Sequence, residues 1–449
     1  SEIAPRRVAL GRRKMTVAAV QLWGTEIGAV SLADGENAAS FEYEPDFAAA
    51  GIELSPLRMP VTPGRIYRFP GLAKTSFDGL PGLLADSLPD RFGNALIDAW
   101  LAGQGRTPGS FDAVERLCYI GMRGMGALEF VPALGPDPTI DDELDVAALV
   151  DLAGEVLAHR ADLSESLAAP GKERAMQEIL RVGTSAGGAR PKALIAWNPE
   201  TEEVRSGQIE VPPGFEYWIL KFDGVDDTSR DLGRSRGYGA IEWAYSEMAK
   251  AAGIEMTECR LLEEGDRRHF MTRRFDRAAD GDKLHMQSLA ALDHLDFELG
   301  EAHSYEQSFG LIRRLGLSAE AAEEQFRRMV FNVVARNQDD HVKNISFLMD
   351  RRGNWSLSPA FDVVYSYNPD GRWTRVHQMS INGKRDNFTL ADLDQIASLA
   401  GLKRGAARRI ADEVTSTVAR WPEFAATARV PEETIEAIHN SLRLHLPRD

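Results

Sequence analysis

One stretch around residue 340 restricts the fold most. An apolar face recurs at Phe326, Val330, Val333 and Val334, the spacing of a helix packed on a core. The helical pattern stops at Asn337, Gln338, Asp339, Asp340, His341, Val342, Lys343 and Asn344, and Ile345 to Met349 then reads as a strand. A turn over Arg351 to Asn354, a second short strand at Trp355 to Leu357 and the run Pro359, Ala360, Phe361, Asp362 follow. This order predicts a helix, a polar loop, a hairpin and a second acidic loop, with the hairpin fixing the distance between the two loops.

That order is the one phosphoryl transfer in a protein kinase requires: a catalytic-loop Asp, an Asn five residues on that binds metal, a hairpin, and a second metal-binding Asp. Asp339 and Asn344 stand at the kinase spacing. Asp339 is suited to accept the proton of an attacking hydroxyl, and Asn344 and Asp362 to hold magnesium against ATP phosphates. Taken singly, an Asp ahead of an Asn in a loop is an ordinary turn former. The ordered set is far more specific than any member.

Upstream, Tyr217 to Phe222 is an apolar strand carrying one lysine, Lys221, as in the kinase strand whose lysine binds the α and β phosphates. A strand-end lysine in solvent reads the same way. Glu242 opens a helix expected over Ile241 to Ala252, where it either pairs with Lys221 or simply suits the first turn of the helix dipole. His269 to Asp276 reads as a strand leading into Arg273, Arg274, Phe275, Asp276 and Arg277, where an inter-lobe hinge would offer backbone groups to adenine. The glycine cluster Gly183 to Lys192 is not a Walker A loop, because Ala189 stands where its lysine is required, and it does not match G-x-G-x-x-G. Two adjacent glycines, Gly187 and Gly188, with hydroxyls before them and Lys192 behind, can still present N–H groups to phosphate oxygens.

Composition bounds these readings. With 449 residues and 43% apolar content, two or three structural units are expected. No apolar run reaches eighteen residues, and Arg6, Arg7, Arg12, Arg13 and Lys14 are not followed by an apolar stretch of signal-peptide length, so a soluble cytoplasmic protein without membrane contact is expected. Cys118 and Cys259, far apart and without metal-ligand neighbours, read as packing residues. The 52 basic and 68 acidic residues leave a net charge of −16, which argues against a broad nucleic-acid face, so any DNA contact is local or supplied by a partner. The basic clusters Arg6 to Lys14 and Lys403 to Arg409 read as a solvated tail and a helix end.

Together, the loop Ser185 to Lys192, the segment Arg274 to Arg277, the segment Asp339 to Asn344 and the pair Phe361, Asp362 resemble the motifs of the HipA family in order and spacing. The small β-rich region of Val17 to Trp23, Gly28 to Leu32, Phe41 and Tyr43, and the Gly82 to Arg91 segment after it, resemble that family's N-terminal subdomain. The resemblance implies an α+β, HipA-like protein kinase fold: a β-rich N-terminal subdomain over 15–105, a mixed α/β ATP-binding lobe over 106–290 and a helical C-terminal lobe over 291–449. It implies an ATP- and Mg2+-dependent serine/threonine protein kinase acting as the toxin of a toxin–antitoxin pair, with an aminoacyl-tRNA synthetase as the substrate.

By the same resemblance Asp339 is the base, Asn344 and Asp362 are the metal ligands and Lys221 binds ATP phosphates. The backbone around Arg273 and Phe275 meets adenine, Lys192, Glu242, His341, Gly187 and Gly188 belong to the nucleotide site, and Ser185 is the autophosphorylated serine, with Thr184 competing. A helix-turn-helix antitoxin of the HipB type is the implied partner and the route to DNA. The chain departs from relatives at Asp340, where small residues such as Gly are common, and this adds a negative charge expected near the metals. Two other readings are a lipid or small-molecule kinase of related fold, and a catalytically silent corepressor bound to a DNA-binding antitoxin. Phosphate transfer to protein separates the first from a protein kinase, and Mg-ATP binding separates the second.

Overall fold

The computed structural model describes residues 8–10, 13–107, 109–136, 143–158, 173–183, 190–208, 211–225, 237–278 and 281–448. The chain divides into two compact units, one of Ser1–Asp227, Arg273–Asp296 and Leu348–Asn354, the other of Thr228–Thr272, Phe297–Phe347 and Trp355–Asp449. It has the mixed α and β content expected, with β-rich N-terminal sheets and a helical C-terminal region.

In the first unit the strands Val8–Leu10, Arg13–Leu22, Thr25–Ala33, Ser40–Tyr43 and Ile66–Tyr67 lie side by side in that order, and Leu128–Val131 also pairs with Arg13–Leu22. Alternation drives this: Ala18, Val20 and Leu22 are buried while Val17, Ala19 and Gln21 between them are partly exposed. Leu22 pairs with Thr25, which leaves a two-residue turn of Trp23 and Gly24 with φ of 52° and 78°. Both residues are left-handed, the conformation that matches the twist of a tight hairpin. Gly28 lets the next strand approach, since a Cβ there would sit 2.3 Å from the Glu42 carbonyl oxygen.

The helix Arg91–Gly103 starts on Asp90, whose carboxylate accepts the Gly93 N–H at 2.8 Å. The helix Ala113–Ile120 starts on a reciprocal Asp112 and Glu115 capping box. Ile97, Leu101, Phe111, Tyr119 and Ile120 pack into one buried cluster. A second sheet sets Lys192–Trp197, buried throughout, between Val204–Ser206 and Glu216–Lys221. Cys118 and Cys259 are both buried packing residues, and burial pushes the Cys118 thiol up to about 12.

A buried histidine, His285, and a half-buried one, His294, give this unit a pH dependence. Burial pushes His285 down to about 3; burial and then Arg58 push His294 down to about 4. His294 accepts the Gly82 N–H at 3.0 Å, and its ring lies 4.5 Å from that of Phe69. With folded values below unfolded ones, the unfolded chain binds the extra protons. Stability is therefore intact above the ordinary histidine value and is lost as pH falls from about 6.5 toward 4, at about 1.4 kcal/mol per pH unit per histidine. Urea melts at pH 7 and pH 4.5 are expected to show this loss, reduced in His294→Gln; a midpoint indifferent to pH in this range excludes it.

The second unit is built on the helices Tyr238–Ala251, Tyr305–Arg314 and Ala319–Val334 and on four C-terminal helices, Leu390–Leu399, Ala406–Val418, Trp421–Thr427 and Glu432–Ser441. Phe326, Val330, Val333 and Val334 are buried, as the helical spacing requires. Tyr245 ties three elements together: its hydroxyl donates to the Ala335 carbonyl at 2.7 Å and its ring lies 5.0 Å from that of Trp421. No helix among the described residues is long and apolar enough to cross a membrane.

Candidate functional site

The helix Ala319–Val334 ends at Ala335, and Arg336, left-handed at φ 57°, turns the chain into the acidic loop. Loop residues alternate in role. Asn337, Gln338 and Asp340 are buried, whereas Asp339 keeps 31% of its side chain exposed. The Ser366 hydroxyl accepts the N–H groups of Gln338 and Asp339 at 3.0 and 3.1 Å and donates to the Asn337 side-chain oxygen at 3.0 Å. Gln338 accepts from Arg336 at 3.1 Å and donates to the Thr374 carbonyl at 3.1 Å. The buried polar groups of the loop are thus partnered within the fold, and Asp339 is the carboxylate presented outward.

A 3-10 turn, Val342–Asn344, closes the loop. The Asn344 amide nitrogen donates to the Asp339 carbonyl at 2.8 Å, so its side-chain oxygen is turned away from that bond. Strands Ser346–Met349 and Trp355–Leu357 follow around a turn in which the Asp350 N–H donates to the Asn354 carbonyl at 3.1 Å. The Ala360 N–H then donates to the Glu255 carbonyl at 2.8 Å, and Asp362 takes up φ 53°. A left-handed non-glycine residue is uncommon, and Asp and Asn are among the side chains that tolerate it.

His341, Asn344 and Asp362 line one pocket, together with Asn332, Asn337 and Asp340. Asp339 is not part of that lining, but His341 Nε2 stands 3.9 Å from its carboxylate. His341 Nδ1 is buried without a hydrogen-bond partner among the described residues. Asn344 and Asp362 offer hard oxygen donors, which suit magnesium. No group of three or more His, Cys, Asp or Glu side chains poised for a metal occurs among the described residues. Magnesium does not need one, since it keeps several waters and takes one or two carboxylates with substrate phosphates.

Asp340 shares the lining of that pocket with Asn344 and Asp362, and the fold supplies its partners. Its carboxylate is buried and accepts from the Tyr305 hydroxyl at 2.7 Å and the Gln378 N–H at 2.8 Å, with His377 Nδ1 also 2.8 Å away. Burial pushes this carboxyl up, yet His377 and these hydrogen bonds outweigh it and hold it below the usual range. Its negative charge is thus taken up inside the fold. Tyr305, Ser366, His377 and Gln378 carry no local sequence signal, because each meets the loop across 27 to 38 residues.

Glu242 corrects an expectation. The helix begins at Tyr238 on a Gly237 cap, so Glu242 lies in its second turn, fully buried, and the first-turn dipole reading does not apply. Lys221 ends its strand directly opposite Lys192 in register. Lys192 is buried, with its ammonium 3.6 Å from Asp90. The Arg273 guanidinium lies 3.2 Å from Glu216, and Phe275 is half-buried. Arg274 and Arg277 clasp the buried Asp276, which also accepts the Gly126 N–H at 2.7 Å. Ser185, Gly187, Gly188 and the competing Thr184 lie outside the described residues.

Two Sinorhizobium fredii proteins named as kinases are similar in sequence: Y4dM, 24% identical over 60% of this chain and 66% of its own length, and Y4mE, 28% identical over 44% and 48%. The chain thus spans just under two thirds and about half of the curated relatives it matches. A chain from the Shewanella oneidensis MR-1 toxin–antitoxin complex of HipA, HipB and operator DNA superposes with a TM-score of 0.63 at 18% identity, covering 94% of each chain, and so shares the fold. A family model described as the HipA N-terminal domain matches residues 18–131. With a second model, the HipA-like C-terminal domain, matching residues 184–421, more than half of the sequence, the chain belongs to the HipA kinase family.

Proposed function

We propose that this chain is an ATP-dependent serine/threonine protein kinase of the HipA toxin type. The observation that carries the reading is the loop array of an outward Asp339, an Asn344 amide pinned on the Asp339 carbonyl and a left-handed Asp362, in a chain of that family. Asp339 accepts the proton of the acceptor hydroxyl as its oxygen bonds to the γ-phosphorus and the bond to the ADP oxygen breaks. Asn344 and Asp362 are the residues to hold magnesium, which when bound neutralises charge on the phosphate oxygens. Lys221 and Lys192 supply positive charge to the phosphates, the backbone at Arg273 and Phe275 meets adenine, and Glu242, His341, Gly187 and Gly188 complete the nucleotide-binding set. The division into a β-rich 15–105, a nucleotide-binding 106–290 and a helical 291–449 is part of the same proposal.

The acceptor we assign is an aminoacyl-tRNA synthetase, with Ser185 as a self-phosphorylation site that switches the enzyme off, since added phosphate charge beside a triphosphate repels it. Both follow from the family alone. Incubation with labelled ATP and Mg2+ tests the reading: label is expected on protein, including this chain, and failure to bind Mg-ATP overturns it.

The HipA, HipB and operator DNA complex supports a HipB-like helix-turn-helix partner. At a net charge of −16 this chain repels a phosphate backbone, so the pair is expected to bind operator DNA far more tightly than the chain alone. Gel shifts over a salt series check this, and tight, salt-sensitive, sequence-selective binding by the isolated chain removes the reason for the partner.

A further inference from the structure

The buried carboxylate of Asp340 is the inner end of a chain of polar contacts that the proposed chemistry does not use. His377, with no exposed surface, lies with Nδ1 2.8 Å from Asp340 and Nε2 2.8 Å from an Arg443 guanidinium nitrogen. A guanidinium can only donate, so Nε2 must accept and the ring proton sits on Nδ1, donated to Asp340. The imidazole therefore joins a buried anion to a cation. Arg443 is itself tied down: its backbone N–H donates to the Val334 carbonyl at 2.9 Å, its side chain forms an ion pair with Asp386, and it lies over the Phe388 ring, which also packs edge-on against His377. Burial and then Arg336 push the Arg443 guanidinium down to about 10.

The position of this chain of contacts decides what it does. Val334 is the last residue of the helix that leads into the loop, and Asp340 follows the outward Asp339 directly. Arg443 thus grips the loop's entry through the Val334 carbonyl and its interior through His377. Nothing here touches a reacting atom. We propose that His377 and Arg443 are positioning residues that clamp the acidic loop through Asp340, setting where Asp339 and Asn344 point. The proposal rests on the kinase reading for its activity arm alone; its structural arm stands without it.

The test compares the full-length wild type with His377→Ala, His377→Gln and Arg443→Met. Glutamine can donate to Asp340 and accept from Arg443 as the imidazole does; alanine can do neither. Hydrogen exchange read by mass spectrometry is expected to show faster exchange at residues 337–344 in His377→Ala and Arg443→Met, with the helix Ala319–Val334 still protected, and recovery in His377→Gln. Self-phosphorylation kcat is expected to fall about ten- to a hundredfold in the first two variants, with KM for ATP within about twofold of wild type, because a misplaced base slows chemistry more than binding. If His377→Ala does not fold, Arg443→Met carries the same two readouts. Unchanged loop exchange in a variant that breaks the chain overturns the clamp, as does a folded His377→Gln that restores neither readout. A wild type that transfers no phosphate overturns the kinase reading instead, and the exchange result still decides the clamp.

Discussion

Asp339→Asn and Asp362→Asn are each expected to lower phosphoryl transfer on the order of a thousandfold or more, because each removes a charge proposed to act on the reacting groups. Melting temperature barely moves. Asp339 is partly exposed and supports no core, and Asn tolerates the left-handed φ of 53° at residue 362 as Asp does. The backbone contacts that hold the loop, from Ser366 to the N–H groups of 338 and 339, do not involve either carboxylate. Rates of label transfer alongside thermal melts check the pair, and transfer within about tenfold of wild type in either variant shows that the base and metal ligands are assigned to the wrong residues.

Asp276→Ala has the opposite profile, a large loss of stability. Asp276 has no exposed surface and binds Arg274 through two contacts of 2.9 and 2.8 Å, Arg277 at 2.8 Å and the Gly126 N–H. Burial pushes its carboxyl up, but Arg274 and Arg277 outweigh that and hold it far below the usual range. Removing it leaves two buried guanidinium groups facing each other without their anion, which costs about 3–5 kcal/mol. Equilibrium urea unfolding reads this directly, with Asp276→Asn expected to fall between the two. A loss under about 1 kcal/mol means that the cluster is solvated enough to dispense with its anion.

The contrast between Asp339 and its neighbour Asp340 shows what was legible in the sequence. Asp339, Asn344 and Asp362 lie in one short run, so their order and spacing identify a kinase-like loop with no knowledge of the rest of the chain. The β-rich character of the N-terminal region was legible for the same reason, through the short apolar runs of Val17 to Trp23 and Gly28 to Leu32. The partners of Asp340 were not, because Tyr305, His377 and Gln378 come from 35 to 38 residues away and no local periodicity announces them. These partners take up the charge of Asp340 in the pocket that it lines with Asn344 and Asp362.

The start of the helix bearing Glu242 was misjudged on different grounds. The helix was expected from Ile241 but begins at Tyr238, with Gly239 inside it, where a Cβ would lie 2.2 Å from the Arg268 carbonyl oxygen of the strand Arg267–Arg273. Close packing against the strand selects glycine at that point, overriding its poor helix propensity. Likewise Leu128–Val131 joins a strand more than a hundred residues upstream, a pairing that no window of sequence reveals.

The supports of the acidic loop also bear on the order in which the protein folds. Ser366 meets Gln338 across 28 residues, Thr374 meets it across 36, and Arg443 meets His377 across 66. Contacts of such separation cost loop-closure entropy before they return any stabilisation, so they form after the local helices. The helix Ala319–Val334 can be in place early while the loop beyond it is still unset. A freshly refolding chain is therefore expected to have its helices before the acidic loop is set, so regain of any activity that needs the loop should trail regain of helical signal.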